Sequence, residues 1–201
     1  MDSKYLLLVV VFFLGITIFI PKLEGLETNI DEELSIQMKK NELVTKIQLN
    51  TLITRGDAWF NLGDITIRDK EGNEVNYGNN QDVQFGSGGN WYGQLPPSNL
   101  WDDSKTSMAH SNREAENLII KLGSGSEIGS VQISNRQDCC WHRIGNYRMS
   151  FYNKNNEVIG YVNLDGTDYT GNPKSPKSPE KIVTLVGQGK TVKYNLVYPN
   201  A

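Results

Sequence analysis

The chain of 201 residues is poor in cysteine: it has two, Cys139 and Cys140, side by side. Neighbouring cysteines cannot staple distant parts of a fold, so a disulfide framework is excluded and the core must come from packing alone. Histidine is equally scarce, with only His110 and His142, and no Cys-x-x-Cys pair accompanies them, so no zinc site is expected. Neither sign of charge dominates. Mixed along the chain, 20 basic and 23 acidic side chains give a net charge of −3, which leaves no basic footprint for nucleic acid. Alanine is rare and Asn-x-Ser/Thr glycosylation sites are missing altogether. No Gly-x-Ser-x-Gly elbow, phosphate loop or pair of carboxylates set for glycoside hydrolysis stands out. An enzyme is therefore not expected.

What the chain does have is glycine (19 residues), much asparagine, and one long apolar run. The composition is that of a loop-rich β protein. Residues 5–20, YLLLVVVFFLGITIFI, carry no charge, with Lys4 before them and Pro21-Lys22 after. The run lies between the roughly 7–15 apolar residues of a signal peptide and the roughly 17–25 of a spanning helix. Leu23 and Gly25 make a poor small-x-small cleavage site, so an uncleaved signal-anchor over 1–25 is expected, with a cleaved signal and secretion as the alternative. Lys4 and the amino terminus favour a cytoplasmic N-terminus, which leaves the rest exoplasmic or lumenal. Residues 29–40, NIDEELSIQMKK, begin acidic and end in lysines, a polarity that suits a helix dipole. They predict a short helical stalk over 26–42.

From residue 43 to 201 the pattern is that of strands. Leu43, Thr45, Ile47, Leu49, Thr51 and Ile53 alternate with polar positions, the period of a half-buried strand. A second strand is expected over 59–67, closed by a turn at 70–73. Residues 76–117 read mostly as loop, with Trp91, Tyr92 and Trp101 embedded, expected as core plugs rather than sugar platforms. Alternation returns at Leu118, Ile120 and Leu122 and at Val131 and Ile133. Segments 147–152 and 157–164 pair naturally across Asn153-Lys154-Asn155-Asn156. The proline-stiffened stretch 174–180 precedes a last hairpin, 182–186 with 192–198. About eight short strands with long loops predict an all-β sandwich or jelly roll.

The densest chemistry lies in Asn135-Arg136-Gln137-Asp138-Cys139-Cys140-Trp141-His142-Arg143. Consecutive Cα atoms are about 3.8 Å apart, closer than the roughly 4.4–6.8 Å usual for a disulfide. A Cys139–Cys140 bond would close a strained ring of the kind found at binding surfaces. The other reading is two reduced thiols buried as small apolar groups. Both stay open on residue chemistry alone.

Three segments in order resemble a known superfamily. Residues 58–73, AWFNLGDITIRDKEGN, are similar to the early strand of galactose-binding-like domains. Residues 133–143, ISNRQDCCWHR, resemble the Asn-Arg-x-Asp-Cys-Cys-x-x-Arg stretch of fucolectins (F-type lectins), members of the discoidin, or coagulation-factor type C, group of that fold. Between them, residues 100–111, LWDDSKTSMAHS, look like the family's Asp-containing loop ending in His-Ser. The resemblance spans about residues 43–165. It implies a galactose-binding-like jelly-roll β-sandwich presenting a carbohydrate at loops on one end. His110, Arg136 and Arg143 would hydrogen-bond the sugar, a bonded Cys139–Cys140 pair would pack on its apolar face, and Asp138 would orient an arginine. Trp141 and His142 replace the small or acidic residues usual before the last arginine, which would reshape the pocket expected for fucose.

These residue types suit that task. Arginine offers a planar fork of donors and keeps its charge, and a carboxylate such as Asp138 can fix the fork. His110 can donate from one ring nitrogen while the other is held. No cofactor is expected. Asp102, Asp103 and Ser104 offer hard oxygens for the structural calcium common in the family, but match no EF-hand spacing; they are read as solvated turn acids, with calcium as the alternative. The expected function is a membrane-anchored, lectin-like attachment domain whose partner is a glycan or surface glycoprotein. The alternative is a structural or assembly protein, such as a virion membrane or minor capsid component, that uses the sandwich for protein contacts.

Overall fold

Alternating apolar side chains build the body. A computed structural model describes residues 30–39, 42–52, 59–77, 82–85, 92–102, 104, 106–112, 117–164 and 189–199. Among them run eleven strands: β1 (Glu32–Gln37), β2 (Val44–Thr51), β3 (Asn61–Leu62), β4 (Asp64–Asp69), β5 (Val83–Phe85), β6 (Ala109–His110), β7 (Asn117–Ser126), β8 (Ile128–Ser134), β9 (Tyr147–Tyr152), β10 (Val158–Asn163) and β11 (Thr191–Val197). One sheet has the order β1-β11-β8-β4, the other β10-β9-β2-β7-β5, and β3 pairs with β6 in a small ribbon. The arrangement is all-β and sandwich-like. The core holds Ile47 and Leu49 of β2, Leu118 and Ile120 of β7, Val131 and Ile133 of β8, and Val192 and Tyr194 of β11, all at the alternate positions that face inward. Phe60 packs edge-on to Tyr147, with ring centroids 5.7 Å apart, a contact worth about 0.5–1.5 kcal/mol beyond burial alone.

The segment expected as a helical stalk is a strand. Residues 32–37 form β1, which lies parallel to β11 from Glu32↔Val192 to Gln37↔Val197. Leu34, Ile36 and Met38 alternate; Ile36 and Met38 are buried and Leu34 packs against the core. Burial of that alternating face outweighs the weak charge polarity that favoured a helix. The space that receives Met38 exists because residue 160 is glycine: a Cβ there would sit 2.3 Å from the Met38 sulfur. The expected anchor at 1–25, the loop at 174–180 and the strand at 182–186 lie outside the described residues. Among those described, no helix is long and apolar enough to cross a membrane. The expected strand over 59–67 divides at Gly63 into β3 and β4, because Gly63 is pressed against the Ser134 carbonyl and a Cβ would approach it to 2.8 Å. The expected loop 76–117 also contains β5, a 3-10 helix at Pro97–Leu100, and β6.

Register separates two ends. At one lie the turn at 70–73, the β7–β8 connection through Glu127, and the turn after Asn153. At the other lie the start of β11, the end of β8 and the start of β4, joined in one row by Thr191↔Ser134 and Asp64↔Ser134. The chain enters β1 at this second end, where the Asp31 N–H donates to the Thr191 carbonyl at 2.9 Å. The candidate site is built there.

Candidate functional site

The loop that follows β8 is fixed before it reaches any charged group. Asn135, buried, accepts the Arg136 N–H with its own Oδ1 at 2.9 Å and donates from Nδ2 to the Trp141 carbonyl at 2.9 Å. Its backbone N–H donates to the Lys190 carbonyl, and the Arg136 carbonyl accepts the Gly189 N–H, each at 2.9 Å. The loop is thus clamped to the approach of β11 and cannot slide along it.

Arg136 is only 6% exposed, while the Asp138 side chain is 57% exposed. Arg136 Nε donates to Asp138 Oδ1 and Nη2 to Oδ2, both at 2.7 Å. This is a two-pronged guanidinium–carboxylate pair, the geometry in which a charge-assisted bond is strongest. The hydrogen bond from Arg136 holds the Asp138 carboxyl far below the usual carboxylate range, helped by the Cys139 N–H and opposed by burial. The same bond raises the Arg136 value.

Cys139 and Cys140 are unbonded thiols with their sulfurs 2.9 Å apart. Neither is buried: Cys139 is exposed and Cys140 half-buried, so they do not serve as small core groups. Sharing a hydrogen bond with Cys140 pushes the Cys139 thiol up. Cys140 has φ 56°, in the left-handed region, a conformation that costs a non-glycine residue about 1–2 kcal/mol. It turns the chain into the 3-10 helix Trp141–Asn146, which is pinned by the buried Ile144. Within that helix, Trp141 meets His142 edge-on at 6.1 Å, and the Arg143 N–H donates to the Cys140 carbonyl at 3.2 Å.

His110 arrives from β6, opposite Asn61 of β3. Its Nδ1 bonds the Ser111 carbonyl, and its ring lies 5.7 Å from Trp59 and 6.4 Å from Tyr92. Burial lowers the His110 pKa first; the charges of Arg136 and Arg143 lower it further, against the opposing pull of Asp138 and the Ser111 carbonyl. The imidazole therefore shares one electrostatic neighbourhood with both guanidinium groups and the carboxylate.

The cleft of this region, about 310 Å³, is walled by Thr106, Ser107, Met108, Arg136, Gln137 and Asp138. That is the low end of ligand-site volumes. Of the residues named from the sequence, Arg136 and Asp138 stand on its wall, whereas His110, Arg143, Trp141 and the two thiols are not among those walling residues. Thr106, Ser107, Met108 and Gln137 went unforeseen; the signal available was the hydroxyl-rich run 104–107. Asp102 caps that run, accepting from Ser107 Oγ at 2.7 Å and the Ser104 N–H at 3.0 Å. It acts as a turn acid. Asp103 lies outside the described residues, among which no group of three or more His, Cys, Asp or Glu gathers to hold a metal.

Two expectations about aromatic plugs divide. Trp101 packs against the core and meets Tyr77 edge-on at 5.5 Å, but Tyr92 is 53% exposed, and Trp91 lies outside the described residues. Asn61 was also unforeseen. It is 1% exposed and neither of its amide atoms has a partner among the described residues. Only the β3–β6 register puts it beside His110, so no local sequence signal marks it. Against known proteins, the chain matches no family model, no curated protein and no solved structure.

Proposed function

We propose that the chain is a non-enzymatic recognition protein that binds a glycan at the loop end of its sandwich and is held at a membrane by residues 5–20. The observation that carries this reading is the Arg136–Asp138 pair on the wall of a hydroxyl-lined cleft. Asp138 occupies two of the five guanidinium N–H groups and fixes the plane of the rest, which leaves three donors in a preset geometry. A saccharide presents neighbouring hydroxyl and ring oxygens that such a fork can reach, and the Thr106 and Ser107 hydroxyls can give or take hydrogen bonds beside it. Arg143 adds positive charge to the neighbourhood, and the largely neutral His110 offers a ring nitrogen. The resemblance to fucolectins and a galactose-binding-like jelly roll points the same way, with the body exoplasmic or lumenal and the partner a glycan or surface glycoprotein.

A second reading has one observation in its favour. The Arg136–Asp138 pair completes itself without a ligand, and His110, Arg143 and the thiols do not wall the cleft. On that reading the pair only locks the loop, and the sandwich serves protein contacts, as in a virion membrane or minor capsid component. A glycan array probed with residues 26–201 separates the two. Glycan binding that Arg136→Lys abolishes supports the first, because lysine keeps the charge and loses the fork. Absence of binding to every glycan, with the protein found at fixed stoichiometry in purified particles, supports the second.

A further inference from the structure

Charges that are mixed along the chain are sorted by folding. None of the strands in the β10-β9-β2-β7-β5 sheet contains Asp or Glu, yet together they carry Lys46, Lys121 and Arg148. The acids that strands do contain, Glu32, Glu33, Asp64 and Asp69, belong to the other sheet. There Lys193 is answered by Glu33 at 3.0 Å. The three cations of the five-stranded sheet stand on one face. Ile47, Leu49, Leu118, Ile120, Met149 and Phe151 point into the core, so the residues that alternate with them point outward. Register sets these in rows: Lys46 lies between Lys121 and Tyr152, Gln48 between Ile119 and Ser150, and Asn50 between Asn117 and Arg148. Lys121 is exposed, and Lys46, Gln48, Asn50 and Arg148 are half-buried.

Like charges directly opposite each other across an antiparallel pair lower stability. Lys46 and Lys121 are opposed in that way, and among the described residues neither forms an ion pair. The cations are also held in place. Lys46 Nζ donates to Asn156 Oδ1 and lies 3.8 Å from the centre of the Tyr152 ring. Arg148 lies 4.5 Å over the Tyr161 ring, and its Nε donates to Asn163 Oδ1 at 2.8 Å. Between them Gln48 Nε2 donates to Asn50 Oδ1 at 2.6 Å. We propose that this face binds a linear acidic polysaccharide, whose carboxylate or sulfate groups meet the two lysines and Arg148 and whose hydroxyls meet the amides of Gln48 and Asn50. A bound anion offsets the repulsion between the lysines. The lysine pair and Arg148 are four residues apart along the strands, about 13 Å, so one small anion cannot touch both and an extended ligand can. Nucleic acid suits the face less, because bases stack on open rings and both tyrosines already carry a cation. An anionic bilayer suits it less, because a surface that enters the headgroups presents a broad apolar face, and here amides stand at the centre. The site is separate from the cleft and stands whether or not the cleft takes a glycan.

The test titrates the full chain, in a non-ionic detergent, with oligosaccharides of heparin (sulfated) and of hyaluronan (carboxylated), and with neutral dextran. Binding to at least one acidic probe and not to dextran is expected, and it weakens as salt is added. Lys46→Gln and Lys121→Gln should each weaken it by about two- to fivefold, the effect of one exposed charge contact, and the double variant should weaken it further. Lys193→Gln makes the same change of charge on the other sheet and should leave binding as it is. Circular dichroism checks the fold of each variant; if Lys46→Gln does not fold, the exposed Lys121→Gln decides alone. No binding to either acidic probe at low salt, or binding that Lys121→Gln leaves undiminished, overturns the proposal. Tighter binding to a single-stranded oligonucleotide or to phosphatidylserine vesicles, weakened by the same variants, assigns the face to another partner and overturns the polysaccharide too.

Discussion

The two ends of the sandwich are held by different means. At the far end each turn is closed first by its own neighbours, with ties from elsewhere added, such as Asn153 Nδ2 donating to Glu42 Oε2 at 2.8 Å. Asp69 accepts from the Asn73 N–H at 2.7 Å and from Asn73 Nδ2 at 3.0 Å, and Asn153 Oδ1 accepts the N–H groups of Asn155 and Glu157 at 2.9 and 3.0 Å. At the site end the local Arg136–Asp138 pair is joined by partners distant in sequence: Phe60 with Ser111, Asn135 with Lys190, Asp31 with Thr191. The far end buries few polar groups, whereas the site end buries Asn61, Asp64, Ser111, Ser134, Asn135, Arg136 and Thr191. Apolar packing settles the body, but at the site end polar partners must all be found at once, at a cost where they are not.

Removing one carboxylate from each end gives the largest contrast. Breaking a fully buried ion pair costs about 3–5 kcal/mol, but the carboxylate of Asp138 is exposed, so Asp138→Asn should destabilise by about 1–2 kcal/mol at neutral pH in a urea titration. Asp69→Asn, at a fully exposed turn, should leave the midpoint unchanged. The sign with pH follows from the depressed Asp138 value. Its contribution is complete above the unfolded-state value of about 3.9 and is lost only as pH falls through the much lower folded value. If the two variants behave alike, the ends do not differ in the way described.

A smaller effect of opposite sign is expected at Asn61. Replacing a buried polar group that lacks a partner by an apolar one of similar shape removes a desolvation cost of about 1–3 kcal/mol. Asn61→Leu should therefore raise stability by up to about 1 kcal/mol after imperfect packing is counted. Thermal unfolding reads this directly, and a fall in stability would overturn the reading of the Asn61 amide as an uncompensated buried group. The smallest effect concerns His110. Its folded pKa lies below the unfolded value of about 6.5, so the unfolded state takes up more protons and stability declines as pH drops below that point. His110→Gln should flatten the stability profile between about pH 7 and pH 5; an unchanged slope would mean that the imidazole is not held neutral.

Legibility in the sequence follows the same division. β2, β7, β8 and the β9–β10 hairpin are written in alternation and in a local turn, so they are readable residue by residue. In residues 29–40 charge polarity and alternation conflict: acids precede lysines, yet Leu34, Ile36 and Met38 recur every second position. The strand wins through contacts that no local pattern contains, the parallel ladder to β11 and the space above Gly160. At the site, the Arg136–Asp138 pair is only two residues apart and could be read as a possible lock. The approach of Thr106–Met108 to that pair, and of Asn61 to His110, depends on the pairing of β3 with β6 and on the path of a long connection. Neither has a signature in the chain itself.

The pairing of the first strand with the last has a mechanical meaning. β1 begins at the site end and β11 finishes at the far end, and the two run side by side in parallel over six residue pairs. Tension applied through the two termini runs along this seam rather than across it. The hydrogen bonds are then loaded in shear and must slip together, not unzip in turn, so the body resists being drawn out between a fixed N-terminus and a pulled C-terminus.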